Sequence, residues 1–443
     1  MLPSALPVFG ASLQLFATGP GGIGGEPSVA VAPDGAIYVA APVIPAATLA
    51  GGFLGLADFG QIRVWKSTDG GATFTLLNDE NGRLTPKGRG NGDADISVGP
   101  DGSVYAIDLG GGIPLYISRD AGATWEGKGN LNDKDTVTDR QWIDVEGELL
   151  AVIWANQSAQ DVRGIDITLS TDRGETWSHP RPLVDGMIQF GPVEIAPGGT
   201  DLYIPYVTFD GRALRVLASH DAGATWADHD TGHAHPRPSY LGTPLPDVEG
   251  RWSPTLIFPV LAADKAGNLF LVYSEYVPGG ETTQLMMTRS ADKGVTWSEP
   301  TRVSTSANAV FPWIVAGEAG HVAVAYLASD LPLDPNKGVH EWRLEIAVSR
   351  DAADAASFEV AHTVERVHRG SVCSSGGGCT GGLVHVVAYE DRALLDFFEM
   401  ALTPEGKLVV VWTATEGGAD RGPRVMFAAQ TAGDGLLALP AAG

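Results

Sequence analysis

The hydrophobic positions of this chain fall in short runs separated by breaks rich in Gly, Asp and Pro. Windows with apolar residues at i, i+3, i+4 and i+7 are scarce, so the pattern predicts strands rather than helices. The runs come in pairs joined by a tight turn. "EPSVAVAPDGAIYVAAP" from Glu26 is one pair and "DADISVGPDGSVYAIDL" from Asp93 is another. "RQWIDVEGELLAVIWA" from Arg140, "GPVEIAPGGTDLYIPYV" from Gly191 and "SPTLIFPVLAADKAGNLFLVYSE" from Ser253 follow. "FPWIVAGEAGHVAVAYLAS" from Phe311 and "LLDFFEMALTPEGKLVVVWTAT" from Leu394 complete the series. The first strand of each pair is small and apolar, which suits a strand beside a narrow central channel. The Gly in each turn permits the positive φ that tight hairpins demand.

A second pattern follows the pairs. "STDGGATF" begins at Ser67, "SRDAGATW" at Ser118, "STDRGETW" at Ser170, "SHDAGATW" at Ser219 and "SADKGVTW" at Ser290. A repeat of roughly fifty residues is the length of a four-stranded propeller blade. After the sixth pair Ser349 and Asp351 survive without the Gly, and after the seventh no motif is left. The expected fold is therefore all-β, a seven-bladed β-propeller filling one domain over 1–443, with six blades as the alternative. The expected blades lie near 26–89, 90–137, 138–187, 188–248, 249–305, 306–365 and 390–443. To close the ring, either residues 12–18 or the terminal "GLLALPAAG" must supply an outer strand to the last blade, which removes open edges.

The string Ser-x-Asp-x-Gly-x-Thr-Trp resembles the Asp-box, the bacterial neuraminidase repeat of sialidases and related propellers, over roughly residues 26–430. "TDRQWIDV", "FPWIVAGEAGHVAVAYLAS" and "CSSGGGC" followed by "DRALLDFF" also resemble bacterial Asp-box proteins grouped as sialidase-like by fold. The resemblance implies that the boxes join the third and fourth strands on the face opposite the ligand. Asp69, Asp120, Asp172, Asp221 and Asp292 then stiffen turns and do no chemistry, since catalysis does not need five equivalent copies. Locally, an Asp or Ser side chain in a turn accepts backbone N–H groups, and the aromatic ring packs on the neighbouring sheet.

The net charge is −24, from 53 acidic and 29 basic residues, which excludes the basic footprint of a nucleic-acid binder. No run is long enough to span a membrane. Cys373 and Cys379 flank five small residues; a disulfide there implies an oxidising compartment, and two free thiols are the alternative. The opening "MLPSALPVFGASLQLFATGPGG" lacks the basic and apolar regions of a signal peptide. The cysteine loop and the resemblance together place the protein outside the cell or in a periplasm.

In such propellers the segments leading into the innermost strands face the ligand. Here they offer Glu26, Asp93 and Asp95, Asp139 and Arg140, Gln189, Arg251 and Trp252, Asn308 and Trp313, then Arg392 and Asp396. Strand capping and mutual pairing would also place such residues there. Sialidase chemistry implies three Arg on a substrate carboxylate, a Tyr nucleophile with a carboxylate helper, and an Asp acid. The family's Phe/Tyr-Arg-Ile-Pro string is absent, and Arg63 is a poor substitute. Arg140, Arg251 and Arg392 form a clamp by position only, and Tyr240 and Tyr276 are the nucleophile candidates. "DHDTGHAHPRPSY" gathers His229, Asp230, His233 and His235, a grouping able to take zinc or copper though not a recognised signature. Calcium on Glu26, Asp95 and Asp139 is a similar candidate. The expected function is recognition of a glycan or protein ligand in the funnel, with hydrolysis or lysis of an extracellular glycan as the alternative.

Overall fold

The structure, a computed structural model, describes residues 5–15, 23–44, 61–77, 93–109, 112–132, 137–157, 163–185, 187–208, 213–233, 259–278, 280–372, 394–415 and 423–438. Among them there is no helix, and the strands form seven antiparallel sheets. Each sheet is a four-stranded meander; in blades 1, 4 and 7 one strand is split in two. The innermost strands are Ser28–Val31, Ala94–Val98, Val137–Glu146, Glu194–Ile195, Val260–Ala263, Asn308–Ala316 and Glu399–Leu402. Each touches the next in that order, and the last touches the first. The chain is a seven-bladed β-propeller, and the six-bladed alternative is excluded.

The core lies between neighbouring blades. Val39 and Trp65 of blade 1 pack with Val409, Val411 and Phe427 of blade 7. Tyr105 and Ile107 of blade 2 pack with Ile143 and Trp154 of blade 3. The middle strands are thus covered on both faces and read as unbroken apolar runs. Val322–Ser329 is buried at every position.

The repeated turn is a closed set of hydrogen bonds. In blade 2, Ser118 Oγ donates to Asp120 Oδ1 at 2.9 Å and accepts the Gly122 N–H at 2.8 Å. Asp120 also accepts the Thr124 N–H at 2.8 Å and the Thr124 hydroxyl at 2.6 Å. These bonds hold the carboxyls of Asp69, Asp120, Asp172 and Asp221 down at about 2. The Gly has a second task besides its positive φ. A Cβ on Gly122 would lie 2.5 Å from Leu77 Cδ1, because the turn docks on the preceding blade. In blade 6 the turn is longer and lacks the Gly, yet Asp351 still accepts from Ser349, and Ser357 takes the place of the Thr.

The ring closes through the N-terminus. Leu13 and Gln14 pair with Phe427 and Met426, and Val8 and Phe9 pair farther along the same strand of blade 7. The C-terminal stretch has a different place. Leu436, fully buried, donates its N–H to Gly406 O at 2.7 Å and accepts the Glu318 N–H at 2.9 Å. Arg350, inside the altered sixth turn, holds Gly435 O at 2.9 Å. This tail occupies the side of blade 7 where a seventh turn would stand.

Because strands alternate in direction, the turn after the first strand and the turn after the third share one face. The lead-ins to the innermost strands lie on the other.

Candidate functional site: a buried charge cluster above an acidic channel

Four innermost strands carry a carboxylate inside an otherwise apolar run: Asp95, Asp144, Glu194 and Glu399. Each reaches across to the next blade. Glu399 accepts the Val29 N–H at 2.9 Å, and Asp95 the Ile143 N–H at 2.7 Å. Asp144 accepts the Ile195 N–H at 2.7 Å, and Glu194 the Ala263 N–H at 2.9 Å. Ser28 completes the step from blade 1 to blade 2, donating to Asp95 at 2.7 Å and accepting the Ile96 N–H at 3.1 Å. Innermost strands of a propeller share no backbone ladder, so these side chains stitch one blade to the next. Burial pushes Asp95 up to about 7 and Asp144 up to about 6. It drives Glu194 and Glu399 well above the ordinary carboxylate range. The channel they line has a volume of about 350 Å³, and no Lys, Arg or His is among its described lining.

Trp142 and Trp313 are the aromatic residues of the described channel lining. Trp142 meets Phe397 edge-on at 4.8 Å and lies 6.1 Å from Trp313. Trp313 is fixed by a 3.1 Å bond from its Nε1 to Met400 O.

One or two residues upstream on the same segments, charges converge from four blades. Arg140 of blade 3 pairs with Asp396 of blade 7 at 2.6 Å, both almost fully enclosed. Glu26 of blade 1 accepts the Asp396 N–H at 3.1 Å. Asp93 of blade 2 remains partly accessible, although protein packs around it as densely as in the interior. Burial, then the charge of Asp139, pushes its carboxyl up to about 6, against hydrogen bonding with Glu26 and attraction to Arg140. Gln141 donates its amide N–H to Asp93 O at 2.5 Å.

The backbone here is held in an unusual state. Glu26, Arg140, Phe311 and Leu395 have φ of 48°, 51°, 55° and 58°. The strand register slips between Asp139 and Trp142 and between Val310 and Trp313. A non-glycine residue in the left-handed region costs on the order of 1 kcal/mol, and such strain gathers at functional sites. The first of these bulges contains Arg140 and Gln141 and takes them out of the regular pleat.

Of the residues singled out by sequence, Glu26, Asp93, Asp139, Arg140 and Asp396 come together here. Asp95 sits deeper, as a wall residue. Asn308 is a pin: it accepts the Thr283 N–H and donates to Leu331 O and Leu333 O. Arg251, Trp252, Arg392, Tyr240, His235, Cys373 and Cys379 lie outside the described residues. His229 belongs to the outer strand of blade 4, whereas the His233 ring binds Ser298 O of blade 5 at 2.8 Å. Among the described residues no group of three or more His, Cys, Asp or Glu is arranged to hold a metal. Of the calcium candidates, Asp95 accepts hydrogen bonds from Ser28, Ile96 and Ile143. Asp144, Glu194 and Glu399 escaped sequence reasoning. Their signal was present in "WIDV", "PVEI" and "FEMA", a carboxylate amid residues that must be buried.

No protein-family model matches the chain, and no curated protein does. Solved structures do. The α-L-arabinanase of Penicillium chrysogenum complexed with arabinobiose is 13% identical, covering 95% of this chain and 98% of that one, with a TM-score of 0.47. The α-L-arabinofuranosidase of Fusarium graminearum with an iminosugar inhibitor is 12% identical, covering 95% and 97%, with a TM-score of 0.48. A Hadza microbial sialidase is 18% identical, covering 69% and 63%, with a TM-score of 0.43. Likeness at this level bears on neither substrate nor reaction. Among the described residues no helix is long and apolar enough to cross a membrane.

Proposed function

We propose that the chain is a glycan-directed propeller whose ligand sits at the mouth formed by Glu26, Asp93, Asp139, Arg140 and Asp396. One observation carries the reading: Asp93 is partly accessible at this mouth, and burial, then the nearby Asp139, raises its carboxyl to about 6. A raised carboxyl next to a second carboxylate has the makings of an acid–base pair. In glycoside hydrolysis Asp93 gives its proton to the leaving oxygen as the glycosidic bond breaks. Water adds to the anomeric carbon and passes its proton to Asp139. The Arg140–Asp396 pair is a positioning element, since it anchors the bulge that presents Asp139 and Gln141. Trp313, the partly exposed ring of the three, offers an apolar face to a sugar. The resemblance of the repeated turn to the Asp-box supports a glycan over other ligands.

The test is a panel of neutral, amino and acidic oligosaccharides offered to the purified chain, with released sugar and binding heat both measured. Turnover lost by about a hundredfold or more in Asp93→Asn, with binding retained, is the expected result. Binding without turnover of any sugar reduces the protein to a lectin-like module. Turnover indifferent to Asp93→Asn and to Asp139→Asn overturns the assignment.

A further inference from the structure

The lead-ins repeat a position. Three residues ahead of the first channel-lining residue stand Glu26 in blade 1, Asp139 in blade 3 and Asp396 in blade 7. Gln189 holds the same position in blade 4, ahead of Pro192. The ladder slips there too, between Met187 and Gln189, as it does beside Asp139. This equivalence puts an amide at the level of the mouth where those three blades carry carboxylates. Gln189 is 6% exposed, and its Oε1 is enclosed and accepts no hydrogen bond. Among the described residues nothing holds the rest of the amide. Gln141 has an unfilled oxygen as well, but its N–H donates to Asp93 O and it is 1% exposed, out of a ligand's reach. A buried acceptor without a donor is unfavourable, and an apolar side chain of the same length would avoid that cost. Folding alone therefore gives no reason for an amide here. The last torsion of a glutamine is broad, so an unheld amide turns either its oxygen or its NH₂ to the open side.

We infer that Gln189 is a specificity-determining residue of the mouth, reading a sugar through two adjacent hydroxyl groups. One hydroxyl donates to Oε1 and its neighbour accepts from Nε2, the pairing that suits a primary amide to a diol. A hydroxyl is also the smallest donor a sugar offers, as an enclosed oxygen demands. A methylated or sulfated oxygen has no hydrogen to give. This rests on the mouth being the ligand site; it does not require that any bond be broken there.

The test compares the unsubstituted chain with Gln189→Met by titration calorimetry and thermal melts, using hexamers of glucose, galactose, xylose and arabinose as probes. At least one hexamer is expected to bind, and Gln189→Met should weaken it by about tenfold, the worth of one or two neutral hydrogen bonds. The melting midpoint should hold or rise, because the variant removes an unfilled acceptor. Gln189→Asn, which draws the amide back by one methylene, should weaken the same hexamer and serves as the second variant. Among deoxy analogues of that hexamer, one should bind about tenfold weaker to the unsubstituted chain yet no weaker than its parent to Gln189→Met. Unchanged affinity in both variants overturns the inference. A lowered midpoint with binding intact does so too, since the amide is then structural, as does binding of none of the hexamers. Asp93-dependent turnover that Gln189→Met leaves unchanged refutes this inference alone and leaves the proposed function standing. Gln189-dependent binding with no turnover does the reverse.

Discussion

Replacing Asp95 by Asn tests the role of a wall carboxylate. Asp95 is buried and accepts from Ser28 Oγ, Ile96 N and Ile143 N at 2.7, 2.8 and 2.7 Å. Burial outweighs those bonds and sets its pKa at about 7 against an ordinary 3.8. The folded value stands above the unfolded one. The stability linked to this group is therefore complete below about pH 4 and is lost as the pH rises through 7. Holding the ion in place above that pH costs on the order of 4 kcal/mol. Asp144, raised to about 6, acts in the same direction. The turn aspartates oppose them: lowered to about 2, they stabilise above their ordinary value and lose that effect only in acid. Stability should peak on the acid side of neutrality. Asparagine cannot ionise, but its NH₂ faces the Ile143 N–H or the Ser28 hydroxyl, and the lost bond costs about 1–3 kcal/mol. Urea midpoints read by Trp fluorescence from about pH 4.5 to about 8.5 should therefore cross. The variant is the weaker protein in acid and equals or exceeds the unsubstituted chain in alkali. Parallel curves, with the variant weaker throughout, would refute the reasoning.

Gly122→Ala should destabilise by about 2 kcal/mol, because Ala at φ 88° is strained and its Cβ meets Leu77 at 2.5 Å. Thermal melts check this, and an unchanged midpoint removes the docking role given to the turn. Leu436→Ala should cost about 2–5 kcal/mol, as for other fully buried leucines. Tail residues 434–438 should then become protease-sensitive before the rest of the chain, and simultaneous loss of both is the contrary outcome.

Much of the fold was legible because its signals are local. A turn that needs Ser, Asp, Gly and Thr at fixed offsets writes those letters wherever it occurs, and five copies mark the blades. The sixth shows the limit: without the Gly the string fades, yet Ser357, two positions later than the usual Thr, restores the same bonds to Asp351. The closing strand was ambiguous, since Leu13–Gln14 and the C-terminal stretch are both short and apolar. The site was half legible. Asp139, Arg140 and Asp396 stood out by position, but nothing in "DADIS" says which Asp faces the mouth. Strand alternation alone does not separate them, because both point to one side of the pleat.

The sequence by itself determined the strands, their pairing in order, the repeated turn and the acidic charge, because each depends on neighbours close in the chain. Only the tertiary structure decided that Arg140 meets Asp396 across 256 positions. It also decided that Asp95 stitches blades while Asp93 stands at the opening. Those outcomes depend on ring closure, which sets depth and burial for every innermost strand at once. Placement across the blade boundary, rather than residue type, makes Asp95 a staple and leaves its neighbour Asp93 partly accessible.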